Sequence, residues 1–322
     1  MAARSEPCLP ELVELSSLTV HEFELLVEEE IVAWREQFDW DFKPSADLLR
    51  RFLQMRSLSG YALRIDNTVI GYSYYVVEGR KGLIGDFYVR RAYPDASYEM
   101  MLLGATVQGV MLVSGVHRIE SQLLLLHAPL TQSLPFHRSL KRYDRYFMEV
   151  SRSAAQALEP KPLGFRAELV PWTERLSEEI AHLVTYAYRG HVDSEINDQY
   201  RTIPGARHFL MNIIQYPGCG RFSPKASIVA LDSSSGKVCG VCLASMVSET
   251  AGHVTQLCVL PGVRGARLGY ELLRNSLERL TALGCRSVSL TVTCSNLEAI
   301  RLYESVGFRA TSVFPALVWE GF

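Results

Sequence analysis

The sequence lacks an excess of charge of either sign. Its 33 Lys and Arg stand against 35 Asp and Glu, a formal net charge of −2 over 322 residues. Nucleic acid and anionic membranes both select a strongly basic surface, so neither is expected as a partner. A disulfide framework is also missing. Seven cysteines, an odd number, are scattered at Cys8, Cys219, Cys239, Cys242, Cys258, Cys285 and Cys294. Several interrupt apolar runs, which reads as reduced thiols packed like small hydrophobes in a cytoplasmic protein. Cys239-Gly-Val-Cys242 has zinc or redox spacing, but no second pair completes a site, and on a strand residues three apart point to opposite faces. No metal is expected. No apolar leader follows Met1. The uncharged stretch from Met100 to Val116 falls short of the ~20 residues that span a bilayer and contains three glycines. It reads as a buried helix.

What is present is an ordinary globular composition, 48% hydrophobic and 21% charged. At about 150 residues per domain the length suggests two domains. The small-residue and proline stretch from Ser151 to Gly164 divides the chain almost in half, giving expected domains 1–152 and 163–322. Each half runs as two strands around a turn, a third strand, an amphipathic helix closed by glycine, and a returning strand. Gly71 and Gly240, Asp86 and Gln256, and Gly115 and Gly284 lie 169, 170 and 169 positions apart. One nearly constant offset indicates an internal duplication. The expected class is α/β, with each half a mixed, mostly antiparallel sheet flanked by helices.

The chemistry concentrates in the second half. After the strand ending Leu257-Cys-Val259 comes a loop, Arg264-Gly-Ala-Arg-Leu-Gly269. It opens a helix whose Leu268, Leu272, Leu273, Leu277 and Leu280 share one face. Free backbone N–H groups beside a positive helix end suit a phosphate or pyrophosphate, and glycine at 265 and 269 allows close approach. It is not a P-loop, since no Gly-Lys-Ser/Thr follows. Some 30 residues on, Ser295 and Glu298 form a capping box for a helix that runs to Val306 and stops at Gly307. That helix carries Tyr303 on its apolar face.

An Arg-Gly-x-x-x-Gly loop followed by Asn296-x-x-Ala-x-x-x-Tyr303-x-x-x-Gly-Phe308 resembles the acyl-CoA site of the GNAT N-acetyltransferase superfamily. The resemblance covers roughly Leu163 to Phe322. It implies acetyl-CoA as donor substrate, with the backbone of Leu257, Cys258 and Val259 pairing with the pantetheine arm. Arg264, Gly265, Ala266, Arg267, Leu268 and Gly269 would hold the pyrophosphate, and Asn296 would contact pantetheine. Tyr303 would act as general acid to the departing thiolate. Arg267 stands where the family usually has glycine, so the cradle survives only if its side chain points outward. A base is needed too, because an alkyl amine of pKa near 10.4 is neutral only to about one part in two thousand at pH 7. The family's strand carboxylate falls at His253 here, with Glu249 or a water chain as alternatives.

The acceptor side would be Tyr186 to Gly205, with three tyrosines and Asp193, Glu195 and Asp198, a combination that suits a cationic amine. The first half lacks this equipment. Its corresponding loop, Arg90 to Ser97, has no glycine, while Leu134 and His127 stand opposite Tyr303 and Asn296. It resembles a degenerate GNAT copy, as in tandem members such as mycothiol synthase. The expected function is acetyl transfer to a primary amine of a small molecule or peptide. The alternatives are a non-catalytic acyl-CoA-binding module and transfer of a longer acyl chain.

Overall fold

A computed structural model describes residues 9–129 and 133–322. Met1 to Cys8, including the expected absence of a leader and the first cysteine, lie outside the described residues. The strands and helices run in the order β1 (Glu11–Glu14), α1 (Val20–Phe38), α2 (Lys43–Gln54), β2 (Ser59–Ile65), β3 (Thr68–Glu78), β4 (Lys81–Val89), α3 (Ala96–Met111), β5 (Arg118–Gln122) and β6 (Leu140–Ser151). They continue as α4 (Arg152–Gln156), β7 (Ala167–Pro171), α5 (Ser177–Ala187), α6 (Asp193–Ile196), α7 (Ile203–Gln215), β8 (Arg221–Phe222), β9 (Ile228–Asp232), β10 (Val238–Met246), β11 (Ala251–Val259), α8 (Leu268–Ala282), β12 (Ser287–Thr293), α9 (Leu297–Val306) and β13 (Arg309–Glu320).

Two compact units form, and they do not follow the expected boundary. One holds residues 1–38, 42–143 and 314–322, the other 39–41 and 144–313. The difference has a physical origin in two long strands. β6 passes from the first unit into the second at Tyr143 and Asp144, and β13 returns at Val313 and Phe314. Strand pairing is non-local, so a break in composition near Ser151 does not reveal it.

In the first unit β1, β2, β3 and β4 pair antiparallel in sequence, β4 pairs parallel with β5, and β5 takes the C-terminal end of β13 antiparallel. The Met100–Val116 stretch supplies most of α3, whose Leu102, Leu103, Val107 and Val110 pack with Ile84, Ile119, Leu317 and Trp319. Among the described residues no helix is long and apolar enough to cross a membrane.

The second unit repeats the pattern. β7, β9, β10 and β11 pair antiparallel, β11 pairs parallel with β12, and β12 pairs antiparallel with β6. One sheet face packs under α8, where Leu268, Leu272, Leu273, Leu277 and Leu280 meet Val254, Val288 and Leu290. The other face carries α5 and α7 over Val229, Val241 and Leu243. Cys239 and Cys242 both lie in the α8-side core, not on opposite faces as strand alternation implies. An irregularity between Val238 and Gly240 breaks the alternation. Burial pushes the two thiols up to about 11 and 12, which keeps them protonated.

Candidate active site

The site begins where two parallel strands part. β11 and β12 pair only from Ala251 with Ser287 to Val254 with Leu290. Beyond that point β11 continues to Val259 and β12 to Thr293 without pairing to each other. The split leaves one edge of Thr255 to Val259 open while the other edge stays bonded to β10. An irregularity at Leu243 and Ala244 leaves Thr255 as the extra residue. A cavity of about 440 Å³ occupies the opening, the size of a small-molecule site.

At one end stands the loop before α8. Gly265 adopts φ +76°, and a Cβ there would meet nothing within 4 Å. Arg267, at φ 65°, is the left-handed N-cap of α8. That conformation explains why glycine suits the position, and an arginine there carries a cost on the order of 1 kcal/mol. Its exposed side chain donates to Pro162 O at 3.5 Å, and Arg267 is among the residues that line the cavity. Glu271 N–H is the first bonded inside α8, to Arg267 O. The N–H groups of Leu268, Gly269 and Tyr270 lack intrahelical acceptors, as in any first turn. Those donors, with the helix dipole, make an anion cradle.

The end of the stretch expected to divide the halves is docked on this loop. Gly164 N–H donates to Ala266 O at 3.1 Å, Lys161 N–H to Glu271 Oε1 at 2.6 Å, and the Tyr270 hydroxyl to Glu159 O at 2.9 Å. Lys161 Nζ lies 3.9 Å over the Tyr270 ring and lines the cavity. A second cation, Arg264, is tied to Ala187 O at 3.0 Å.

Tyr303 and Asn296 line the same cavity as Leu257, Cys258, Val259 and Gly269. Asn296, rather than Ser295, caps α9, and its Oδ1 accepts from Ala299 N–H at 3.2 Å. That bond turns Asn296 Nδ2 toward His191 Nε2 at 3.3 Å. His191 Nδ1 lies 3.1 Å from the Asp193 N–H and 3.8 Å from Asp193 Oδ2. A neutral ring carries one N–H, so it can accept at only one of its two nitrogens. Burial first, then Asp193, pushes the Tyr303 phenol far up, so it stays protonated.

His253 is not brought to the cavity wall. It is buried, with Nδ1 2.9 Å from Ser289 Oγ and its ring 5.1 Å from Trp40. Burial, and next the charge of Arg145, lowers its pKa to about 3. Glu249 is likewise absent from the lining. Of the acceptor segment, Tyr188, His191, Asp193 and Tyr200 line the cavity, whereas Glu195 pairs with Arg201 and Tyr186 is exposed. Tyr188 stacks on Tyr200 at 4.5 Å, and Gln256 Nε2 donates to the Tyr188 hydroxyl at 2.7 Å. Sequence reasoning missed His191, Gln256 and Arg145 as cavity residues. Arg145 comes from β6, ahead of the expected boundary, so no motif in the second half contains it.

The corresponding helix end in the first unit carries carboxylates of the chain. The Asp95 carboxylate caps α3 by accepting from Ser97 N–H at 2.8 Å, which puts a fixed anion on that helix end. Glu99 accepts the backbone N–H of His127 and Ala128, and among the described residues no α-helix stands between β5 and β6, where the second unit has α9 between β12 and β13.

Residues 194–308 match the family model described as the acetyltransferase (GNAT) family. Over that segment the chain is similar to the GNAT acetyltransferases. It is 30% identical over 98 residues to a spore coat polysaccharide biosynthesis protein of Bacillus subtilis, 30% of this chain and 34% of that one. The match thus spans about a third of that relative's length. A GCN5-related N-acetyltransferase from Sphaerobacter thermophilus superposes with a TM-score of 0.66 at 15% identity, covering 97% of this chain and 95% of the other. A tandem GNAT protein from the clavulanic acid biosynthesis pathway superposes at 0.57 and 13% identity, covering 97% and 98%. At these identities the likeness is one of fold, and it extends over both units.

Proposed function

We propose that the chain transfers an acetyl group from acetyl-CoA to a primary amine of a small molecule or peptide by direct attack. The observation that carries this is the split between β11 and β12, which joins three features in one cavity. The open edge of Thr255 to Val259 suits an extended pantetheine arm as an added strand. The first turn of α8 meets the pyrophosphate at one end, with Arg264 and Lys161 beside it. Tyr303 stands on the other wall.

In the reaction the amine nitrogen bonds to the thioester carbon, the carbon–sulfur bond breaks, and one proton passes from nitrogen to sulfur. A chain of water beside His191 and Asp193 takes the amine proton. Tyr303 gives a hydrogen bond and then its proton to the departing sulfur, acting as general acid. A phenol held so far up stays protonated until charge builds on sulfur. One acetyl-CoA binds per chain, because Asp95 and Glu99 occupy the equivalent ground in the first unit.

The test is release of CoA thiol with a panel of amines. Tyr303→Phe is expected to lower kcat on the order of a hundredfold or more with acetyl-CoA affinity little changed. Tight acetyl-CoA binding with no release across the panel would favour the binding-module reading instead.

A further inference from the structure

The cavity is lined by a cation, Arg145, that no carboxylate among the described residues pairs with. Arg145 Nη2 donates to Thr291 Oγ1 at 3.1 Å, and among the described residues the guanidinium has no ion pair. Its Nε is buried without a hydrogen-bond partner. Thr255, which lines the same cavity, has a hydroxyl that is also buried and unpartnered. Two orphaned polar atoms on residues that line one cavity carry a desolvation cost that a polar ligand bound there reduces. A planar guanidinium fork matches a carboxylate in particular.

The opposite charge is also in the wall. Asp193 accepts from the Thr293 hydroxyl and lies beside His191. Arg145 and Asp193 act with opposite sign on the same two phenols, Tyr200 and Tyr303, yet do not pair with each other. One ligand with separated charges satisfies both.

We propose that Arg145 and Thr255 receive a carboxylate of the acceptor while Asp193 and His191 face its amine, so that the acceptor is an amino carboxylate. This rests on the acyl-transfer reading, and it names the acceptor class for that same cavity. The attacking nitrogen loses its proton to water, the thioester carbon–sulfur bond breaks, sulfur takes a proton from Tyr303, and the carboxylate stays ionised throughout. It serves only to hold the amine in line.

Two measurements test it separately from turnover. Calorimetry compares N-acetylated amino acids, as products, with their neutral carboxamides. The free acids are expected to bind on the order of tenfold or more tightly, and Arg145→Met to abolish the difference. Arg145→Lys, which keeps charge but loses the fork, should retain part of it. Acetyl-CoA affinity on the same preparations reports an intact fold. The second measurement compares CoA release with amino acids, their decarboxylated amines and phosphorylated amines. Equal binding of acids and amides, equal loss of both in Arg145→Met, or faster turnover of the phosphorylated amines would each overturn the proposal. Acid-selective binding without CoA release would uphold the anion pocket and reject acyl transfer.

Discussion

His253 shows how burial redirects a residue whose position in a motif suggests chemistry. Its imidazole lies between Trp40 and Phe147 and against Ser289, so the charged form has no water to stabilise it. A pKa of about 3 in the folded protein, against 6.5 when unfolded, means that the unfolded chain binds the extra proton between those values. Stability from this group is therefore complete above pH 6.5 and declines as pH falls. Between pH 7 and pH 5 the loss is expected to be about 2 kcal/mol. Denaturant unfolding of the wild type and His253→Gln at both pH values checks this. The variant should lose most of that pH dependence, and an unchanged dependence would contradict the account. By contrast, Glu30 in the first unit is buried beside Asp86 and Tyr72, and its carboxyl is pushed up by burial first and then by Asp86. A raised carboxyl works the other way, favouring the fold at mild acid and less as pH rises.

Among the elements, α8 and α9 were legible in the sequence because helical periodicity and capping are local. All five leucines expected on one face of α8 are buried, and Gly307 ends α9 at φ +102°. The loop glycines were legible in the same local patterns, whereas the role expected of Tyr303 came from the family resemblance. β6 and β13 were not legible as elements joining the halves, because a strand's sequence does not name its partner. Nor was the extra residue Thr255, since nothing in Val254-Thr-Gln256 marks a break in pairing. The stretch from Ser151 to Gly164, expected to divide the halves, is held by backbone bonds, and prolines and small residues suit such an extended strap as well as a boundary. β13 carries a test of its own. Trp319 lies at 0% exposure in the first unit's core, and its indole donates to Pro135 O at 2.9 Å. Trp319→Ala is expected to destabilise that unit by about 3–5 kcal/mol. Thermal unfolding that leaves the wild-type transition unmoved would refute that placement.

At the scale of the molecule, two units share one order of strands but differ in what stands at the equivalent helix end. The second leaves the first turn of α8 open beside a split sheet, and the first closes it with its own carboxylate. The duplication was visible as a constant offset, whereas the exchange of strand ends between units was not. The central claim is that acyl-CoA binds once, at the α8 loop. Calorimetric titration with acetyl-CoA tests it most directly, on the wild type and on Gly269→Glu. A Cβ at Gly269 would meet only Leu302 Cδ2, at 3.4 Å, so the variant should fold while placing a carboxylate against the pyrophosphate. One site per chain, lost in Gly269→Glu, is the expected result. Two tight sites, or unchanged affinity in the variant, would contradict it.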